Sequence, residues 1–390
     1  MQYDFDQVID RSGNFSAKYD ERRKKFGTDD VIPLWVADMD FAVARPIMDA
    51  MGARLAQGIF GYTSRPDSYF EAVSQWQQRR HGWSPDAGLM AFSPGVVPTL
   101  SALVELYSKP GDPILIQPPV YPEFASAITK WGRRPLEAPL KVEDGRYTAD
   151  LEAFEAALAQ RPALFILCSP HNPVGRVWTR EELGAMCGLC AGHGVRIVSD
   201  EIHSDLLLWG NRHIPTATLS PETAGQVITC LSGTKTFNLA GLQASTTVFP
   251  NREELERFNE FWRKLDISRN NCFSLVAMEA AFRGGDEWLD QLLPYLEGNM
   301  QFVRDYCAAY IPQVRPNLPE ATYLMWLDCR GLGLPDGELA EFMVRRAGLG
   351  LNPGVSFGSG GEGFMRLNAA CPRSVLERAM GRLRAAADAR

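Results

Sequence analysis

Short apolar runs alternate with amphipathic stretches through the middle of the chain. The runs predict buried strands, and they lie at 113–117, 163–169, 195–199, 227–232 and 245–249. The stretches between several of them carry apolar residues at helical spacing and predict helices at 121–130, 179–193 and 253–265. Strands that alternate with helices favour a mostly parallel sheet with right-handed crossovers. We therefore expect an α/β fold whose large domain is a mostly parallel sheet flanked by helices.

The pattern changes near residue 287. Long helical stretches there are mixed with short apolar runs that predict strands; the helices are expected at 288–308, 339–346 and 373–387 and the strands at 322–328 and 364–368. This mixture is typical of a smaller α+β domain. We expect a large domain over residues 46–286, a small C-terminal domain over residues 287–390, and an N-terminal segment, residues 1–45, that joins the small domain.

Composition and charge argue against several classes of protein. The chain has 390 residues, of which 45% are hydrophobic, and a net charge of −7. A mildly acidic surface disfavours non-specific binding to DNA or membranes, and the N-terminal residues show no helix-turn-helix pattern. The first residues are polar, unlike a signal peptide, and the uncharged stretch at 88–104 contains Pro94, Gly95 and Pro98, so it is a poor membrane span. We expect a cytoplasmic protein with neither a nucleic-acid nor a membrane partner.

The eight cysteines are scattered along the chain and do not suggest a disulfide framework. Cys187 and Cys190 form a CxxC pair within the predicted helix at 179–193, where they fall on one apolar stripe with Leu183 and Met186. No second CxxC or close pair of histidines completes a zinc site. We therefore expect both thiols in the core and no metal site.

Three polar side chains lie just past the ends of predicted strands. These are Asn172, in the turn Ser-Pro-His-Asn-Pro-Val-Gly, Asp200 and Lys235. Taken singly, Asp200 is more typical of a strand-end cap and Lys235 of a solvated loop, while Asn172 is equally typical of a plain turn. Ligands of open α/β sheets, however, bind at the carboxyl ends of the strands. Lysine forms Schiff bases with carbonyl cofactors, an acid can pair with a protonated ring nitrogen, and an amide can hydrogen-bond a phenolic oxygen.

Two further features lie at the same predicted edge of the sheet. Tyr121 follows the run at 113–117, and an aromatic ring at a strand end can stack on a flat heterocycle. The residues Gly95, Val96 and Val97 lead into a predicted helix with a proline in its first turn, which leaves backbone N–H groups free for a phosphate. No Walker motif occurs here. A literal GxGxxG near the C-terminus precedes a predicted strand and not a helix, so we expect a plain loop there.

Together these features predict one cofactor, pyridoxal 5′-phosphate (PLP). Its aldehyde needs a lysine amine, its protonated ring nitrogen needs an acid, and its phosphate needs backbone donors. A lysine Schiff base with an acidic partner for the ring nitrogen is the arrangement by which proteins hold PLP. We therefore expect a PLP enzyme that acts on a small amino acid.

The order of the longer motifs resembles that of the fold-type-I, aspartate-aminotransferase-like PLP enzymes. The motifs are SPGVVP, SPHNPVGRVW, SDEIHSD, SGTKTFNLAGL and FMRLNAACPR, and the resemblance covers nearly the whole chain. The opening LWVADMDF, the FGYT segment and the histidine in DEIH are similar to the cystathionine β-lyase, or carbon–sulfur lyase, branch of the class I/II aminotransferase family. The resemblance implies the PLP-dependent transferase fold with a seven-stranded sheet, and a homodimer with shared active sites.

The resemblance also implies a role for each matching residue. Lys235 would carry the cofactor and move the substrate α-proton, with Tyr121 and with Tyr62 of the neighbouring subunit as further catalytic residues. Arg366 would bind the substrate α-carboxylate, since a guanidinium fork matches a carboxylate with two hydrogen bonds. The other cofactor-binding residues would be Gly95, Val96, Val97, Asn172, Asp200, His203, Ser232 and Thr234, and the substrate would also contact Asn172, Trp35 and Ala37.

One position departs from the aminotransferase pattern. Many aminotransferases of this fold carry an arginine eight residues after the Schiff-base lysine, and here that position is Gln243. The carbon–sulfur lyase branch is similar in lacking it. We therefore expect α,β-elimination of cystathionine or a related S-substituted cysteine to a thiol, pyruvate and ammonia. Transamination of a small or aromatic amino acid uses the same lysine, acid and arginine and stays the second hypothesis. A regulatory chain of this fold with a protein partner is the third.

Overall fold

The computed structural model describes residues 1–143 and 146–390. The strands are β1 (Ile32–Pro33), β2 (Met90–Ser93), β3 (Pro113–Ile116), β4 (Arg134–Glu137), β5 (Lys141–Glu143), β6 (Arg146–Thr148), β7 (Leu164–Cys168), β8 (Arg196–Asp200), β9 (Val227–Leu231), β10 (Ser245–Val248), β11 (Arg315–Pro316), β12 (Leu324–Asp328), β13 (Leu349–Gly350), β14 (Asn352–Pro353) and β15 (Phe364–Asn368). The helices are α1 (Ala17–Asp20), α2 (Arg22–Phe26), α3 (Arg45–Ala56), α4 (Asp67–His81), α5 (Val96–Tyr107), α6 (Glu123–Lys130), α7 (Leu151–Leu158), α8 (Arg180–His193), α9 (Pro221–Gln226), α10 (Gly233–Thr236), α11 (Arg252–Lys264), α12 (Cys272–Gly284), α13 (Asp286–Tyr310), α14 (Asp336–Glu341) and α15 (Arg373–Asp388).

The large sheet has seven strands in the order β2-β10-β9-β8-β7-β3-β4. The five strands β9, β8, β7, β3 and β4 run parallel to one another. Strand β10 runs antiparallel to both of its neighbours, β2 and β9. This confirms the predicted fold class. The predicted apolar runs correspond to β3, β7, β8, β9 and β10 to within about two residues at each end.

Helices cover both faces of this sheet, because successive side chains along a strand point to opposite faces. Ile114 and Ile116 pack in one apolar layer with side chains of α5, α6 and α11. Leu115, which lies between them, packs in the other layer with side chains of α7 and α8. Cys187 and Cys190 of α8 belong to that second layer and are buried, as predicted.

The C-terminal part of the chain forms a second, antiparallel sheet in the order β11-β12-β15-β14, with α13 and α15 packed in the same core cluster. Strand β1 pairs in parallel with β13, so that residues 32–33 lie against residues 349–350. The predicted helix at 339–346 begins within α14 and continues as a π-helical turn at Phe342–Arg346. The GxGxxG segment forms a turn that enters β15, as predicted. Among the described helices, none combines the length and apolar character that a membrane span needs.

Candidate active site

A cavity of about 200 Å³ opens at the carboxyl ends of the parallel strands. Its wall includes residues that follow β2, β3, β7, β8 and β9, which is the edge where ligands of open α/β sheets bind. Most residues singled out in the sequence line this cavity: Ala37, Gly95, Val96, Val97, Tyr121, Asn172, Asp200, His203, Thr234 and Lys235. The structure therefore brings together groups that lie up to two hundred positions apart in the chain.

Lys235 lies in the short helix α10, directly after β9. Ser232 caps this helix, since its hydroxyl accepts from the backbone N–H of Thr234 at 3.1 Å. The Lys235 amine donates to the carbonyl of Ala37 at 2.6 Å. Burial, followed by the nearby charge of Arg366, lowers the pKa of Lys235 from 10.5 to about 8. A substantial fraction of this amine is therefore neutral slightly above neutral pH.

Asp200 ends β8 and is 4% exposed. Its carboxylate accepts from the backbone N–H of Ile202 at 3.1 Å. Burial raises its pKa from 3.8 to about 7, against the lowering effects of that hydrogen bond and of Lys235. A buried carboxyl group that lacks a cation in hydrogen-bond contact is costly when ionised. A cationic group of a ligand in the cavity would relieve that cost.

Helix α5 points its N-terminus into the same cavity, with Gly95 at the N-cap and no side chain capping it. The backbone at Gly95 has φ 155° and ψ 163°, a conformation that is essentially restricted to glycine. Ser93 holds this turn, since its hydroxyl donates to the Gly95 carbonyl at 2.9 Å. The backbone N–H groups of Val96 and Val97 belong to the first helical turn, which has no intrahelical acceptors, so they suit an anion.

Arg366 enters the site from β15 of the second sheet. Its guanidinium donates to the side-chain oxygen of Asn172 at 3.2 Å and to the carbonyl of Trp35 at 3.0 Å. The side chain is 4% exposed, and its Nε has no hydrogen-bond partner among the described residues. Burial lowers the pKa of Arg366 to about 10, partly offset by Tyr121 and Tyr323. Arg366 and Trp35 are not among the residues that line the cavity, but Arg366 contacts the lining residue Asn172.

Tyr121 and His203 are both uncharged in this setting. Burial raises the pKa of Tyr121 to about 12, with a further contribution from Glu123. Burial and then the charges of Lys235 and Arg366 lower the pKa of His203 to about 3. His203 therefore contributes a neutral imidazole, and not an imidazolium, to the cavity wall.

Tyr62 lies elsewhere in the single chain. It is 96% exposed and does not line the cavity of its own chain. The guanidinium of Arg269 stacks over its ring at 5.6 Å. Leu55, Ile59 and Phe60, just before it, are 61%, 74% and 53% exposed. The structure thus leaves Tyr62 on an exposed, largely apolar segment.

Several site residues carry no signal in the sequence. Tyr323 is 1% exposed, and its hydroxyl donates at 2.9 Å to the same Ala37 carbonyl that accepts from Lys235. Cys168 and Ala244 also line the cavity. Tyr323 and Cys168 lie in apolar runs that predict core strands and Ala244 directly precedes one, so only the folded structure reveals them. Gln243, which marked the departure from the aminotransferase pattern, does line the cavity.

Comparison with known proteins places this site in a family. The chain is 44% identical over 383 residues to cystathionine beta-lyase PatB of Bacillus subtilis (strain 168), and the match covers 98% of this chain and 99% of PatB. Among solved structures, a PLP-bound protein from Clostridium difficile 630, provisionally named an aminotransferase, superposes with a TM-score of 0.97 at 46% identity and covers 99% of this chain and 100% of that one. Cystalysin from Treponema denticola, which contains PLP, gives a TM-score of 0.96 at 32% identity with 100% of both chains covered. Residues 29–383 match the model of the aminotransferase class I and II family, and the chain belongs to that family.

Proposed function

We propose that this protein is a PLP-dependent carbon–sulfur β-lyase. It performs α,β-elimination on cystathionine or a related S-substituted cysteine and forms a thiol, pyruvate and ammonia. One observation carries this proposal: the chain is 44% identical over almost its full length to a cystathionine beta-lyase. The buried amine and acid in a single cavity supply the groups that such a reaction requires.

The cavity fits PLP by its donors and by its unsatisfied groups. Asp200, buried and without a cation in hydrogen-bond contact among the described residues, would hold the protonated ring nitrogen, with His203 in support. The phosphate would lie at the N-terminus of α5. The residues around it would be Gly95, Val96, Val97 and Thr234, which line the cavity, and Ser232, which does not line it but whose hydroxyl lies 2.7 Å from that of Thr234. Asn172 would bind the ring hydroxyl and Tyr121 would stack on the ring. When bound, PLP supplies an electron sink for the electrons released at the substrate α-carbon.

Lys235 supplies both the attachment point and the base. Its lowered pKa leaves a neutral amine available near the working pH of a cytoplasmic enzyme. This amine takes the substrate α-proton. The Ala37 carbonyl, 2.6 Å from Nζ, is an acceptor for the resulting ammonium. A positioned base of this kind contributes about 10²–10⁴-fold to the rate.

Arg366 orients the substrate. Its buried guanidinium has no carboxylate partner among the described residues, so a substrate α-carboxylate would supply the missing counter-charge. Asn172 and the Trp35 carbonyl fix two of its nitrogens at 3.2 and 3.0 Å, which sets the direction of the remaining donors. This fixes the α-carbon of the substrate relative to Lys235.

We further propose that the active enzyme is a homodimer in which Tyr62 completes the cavity of the partner. Its 96% exposure, beside the exposed Ile59 and Phe60, supports this assignment. Lys235→Ala and Tyr62→Ala, each inactive or nearly so alone, should regain activity when the two subunits are mixed and allowed to exchange. One site of the mixed dimer then has both native residues. No recovery in a proven mixed dimer would place Tyr62 in its own chain's chemistry.

The division into domains is proposed on similar grounds. Residues 46–286 would form the large domain and residues 287–390 the small one, with residues 1–45 attached to the latter. The parallel pairing of Ile32 with Leu349 and of Pro33 with Gly350 supports this attachment.

Transamination is the second candidate function. It is favoured by the 46% identity to the Clostridium difficile protein, which is provisionally named an aminotransferase. The two reactions differ in what they require. With PLP and cystathionine but no keto acid, a lyase releases thiol, pyruvate and ammonia in equal amounts over many turnovers. An aminotransferase releases none of these three products: it converts about one equivalent of the amino acid per site to the corresponding keto acid and resumes only when an acceptor keto acid is added.

A further inference from the structure

The loop that follows β8 carries two buried acids that the proposed reaction does not use. Glu201 is 0% exposed and contacts His213 Nε2 at 2.8 Å, and Asp205 is 5% exposed and contacts His81 Nε2 at 2.8 Å. Burial works to raise both pKa values, but the hydrogen bonds and the histidines hold each of them below its ordinary value. Asp200, the last residue of β8, has no histidine partner of this kind among the described residues. Their hydrogen bonds thus keep the carboxylates of Glu201 and Asp205 ionised and hold them in place.

The Asp205 carboxylate contacts three side chains, which belong to two different helices. Oδ1 accepts from the indole N–H of Trp76 at 2.9 Å and contacts His81, both of which belong to helix α4. Oδ2 accepts from the hydroxyl of Thr236 at 2.7 Å. Thr236 is 0% exposed and is the residue that follows Lys235 in α10. A single buried carboxylate therefore ties the backbone beside Lys235 to α4.

We propose that Asp205 is a positioning residue for Lys235, which it orients through Thr236. The inference rests on the proposed function of Lys235. Helix α10 has only four residues, so it has few hydrogen bonds of its own with which to fix the direction of Lys235. The Thr236 hydroxyl bond goes to a charged acceptor, which makes it stronger than a bond between neutral groups.

Two restraints then act on opposite ends of the same side chain. The Ala37 carbonyl holds Nζ at 2.6 Å, and the link from Thr236 to Asp205 holds the backbone from which the side chain extends. A base must be held at a fixed, short distance from the proton that it removes. A misplacement of about 1 Å can lower the rate by about 10²-fold. Loss of the Asp205 link should therefore slow the proton transfer without weakening substrate binding at Arg366.

The test compares Thr236→Val, which keeps the shape but removes the hydroxyl, with Thr236→Ser, which keeps the hydroxyl. In the PLP-loaded enzyme, Thr236→Val should lower kcat by about 10- to 100-fold while KM changes by less than about twofold. Thr236→Ser should restore most of kcat. The visible absorbance of the bound cofactor, titrated with pH, should show a midpoint displaced upward in Thr236→Val, because a less restrained Lys235 nitrogen gains contact with water.

A matched control removes a similar bond that does not lead to Lys235. Ser199 is fully buried, and its hydroxyl donates to Glu201 at 2.9 Å. Ser199→Ala should lower the melting temperature but leave kcat and the absorbance midpoint close to wild type. If Thr236→Val does not fold, Thr236→Ala against Thr236→Ser isolates the hydroxyl in the same way.

Each outcome bears on one proposal alone. Equal kcat in the valine and serine variants, with wild-type enzyme releasing pyruvate, would overturn the positioning role and leave the lyase assignment standing. A midpoint that moves as much in Ser199→Ala as in Thr236→Val would also overturn it, because the effect would then be a general loosening of the loop. Wild-type enzyme that releases no pyruvate would refute the lyase assignment. The difference in cofactor absorbance between the Thr236 variants would still test the link to Lys235.

Discussion

Asp200→Asn should have opposite effects on stability and on catalysis. In the PLP-free protein the Asp200 carboxyl is buried at the end of β8 with a single backbone donor. Asparagine has nearly the same shape and can keep the bond from the Ile202 N–H, but it carries no charge. The variant should therefore make the PLP-free protein more stable at alkaline pH, although it removes the acid that would hold the cofactor's ring nitrogen.

The magnitude follows from the pKa of this group. Burial raises it from 3.8 to about 7, and each pKa unit is worth about 1.4 kcal/mol. Because the folded-state pKa lies above the unfolded one, the folded protein keeps its proton between about pH 4 and pH 7 while the unfolded chain has lost it. Stability therefore falls as the pH rises through that window. Complete ionisation costs the folded protein about 4 kcal/mol, of which about 2–3 kcal/mol falls between pH 5 and pH 8.

The assay is denaturant unfolding of the PLP-free wild type and of Asp200→Asn at about pH 5 and about pH 8. The free energy of unfolding of the variant should gain about 2–3 kcal/mol relative to wild type between the two pH values. Asp205→Asn is the matched control: because the pKa of Asp205 is lowered, this carboxyl is ionised in both the folded and the unfolded chain between about pH 5 and about pH 8, and the difference in unfolding free energy from wild type should not change over that window. If the difference in unfolding free energy between Asp200→Asn and wild type were the same at both pH values, the reasoning from burial would be refuted.

Two further predictions concern substrate binding and the cysteines. Arg366→Lys should lower kcat/KM by about 10- to 100-fold, mainly through KM, because an ammonium cannot replace the forked contact with a carboxylate; an unchanged KM for the amino acid would contradict this role. The double variant Cys187→Ala/Cys190→Ala, and chelator treatment of the wild type, should leave kcat unchanged, since both thiols are buried in the core and burial raises their pKa values. A loss of activity on chelation would instead reveal a metal centre.

The central strands could be predicted because they are buried on both faces. Strands β7, β8 and β9 have every residue buried except Arg196, and they read as continuous apolar runs. The edge strands gave no such signal. β4 consists of Arg-Pro-Leu-Glu and is half-exposed, and β2 lies within the uncharged stretch before α5. The presence of β2 and β4, which bring the sheet to seven strands, therefore follows only from the family resemblance.

The site divides in the same way. Asp200, Lys235 and Asn172 could be predicted because strand ends, local turns and residue chemistry are visible along the chain. Arg366 follows from the resemblance, and its contact with Asn172 joins positions 194 apart in sequence. The contact of Tyr323 with Ala37, 286 positions apart, and that of Asp205 with Thr236 depend on tertiary packing alone. No periodicity or turn signal encodes contacts of that kind.

The most direct test measures pyruvate formed per active site from cystathionine without added keto acid, for wild type and for Lys235→Ala loaded with PLP. The wild type should form many equivalents of pyruvate at a constant rate. Lys235→Ala should be slower by at least about 10²-fold while it keeps its fold and its cavity. A wild type that forms no pyruvate, or a Lys235→Ala variant that turns over at the wild-type rate, would contradict a β-lyase whose base is Lys235.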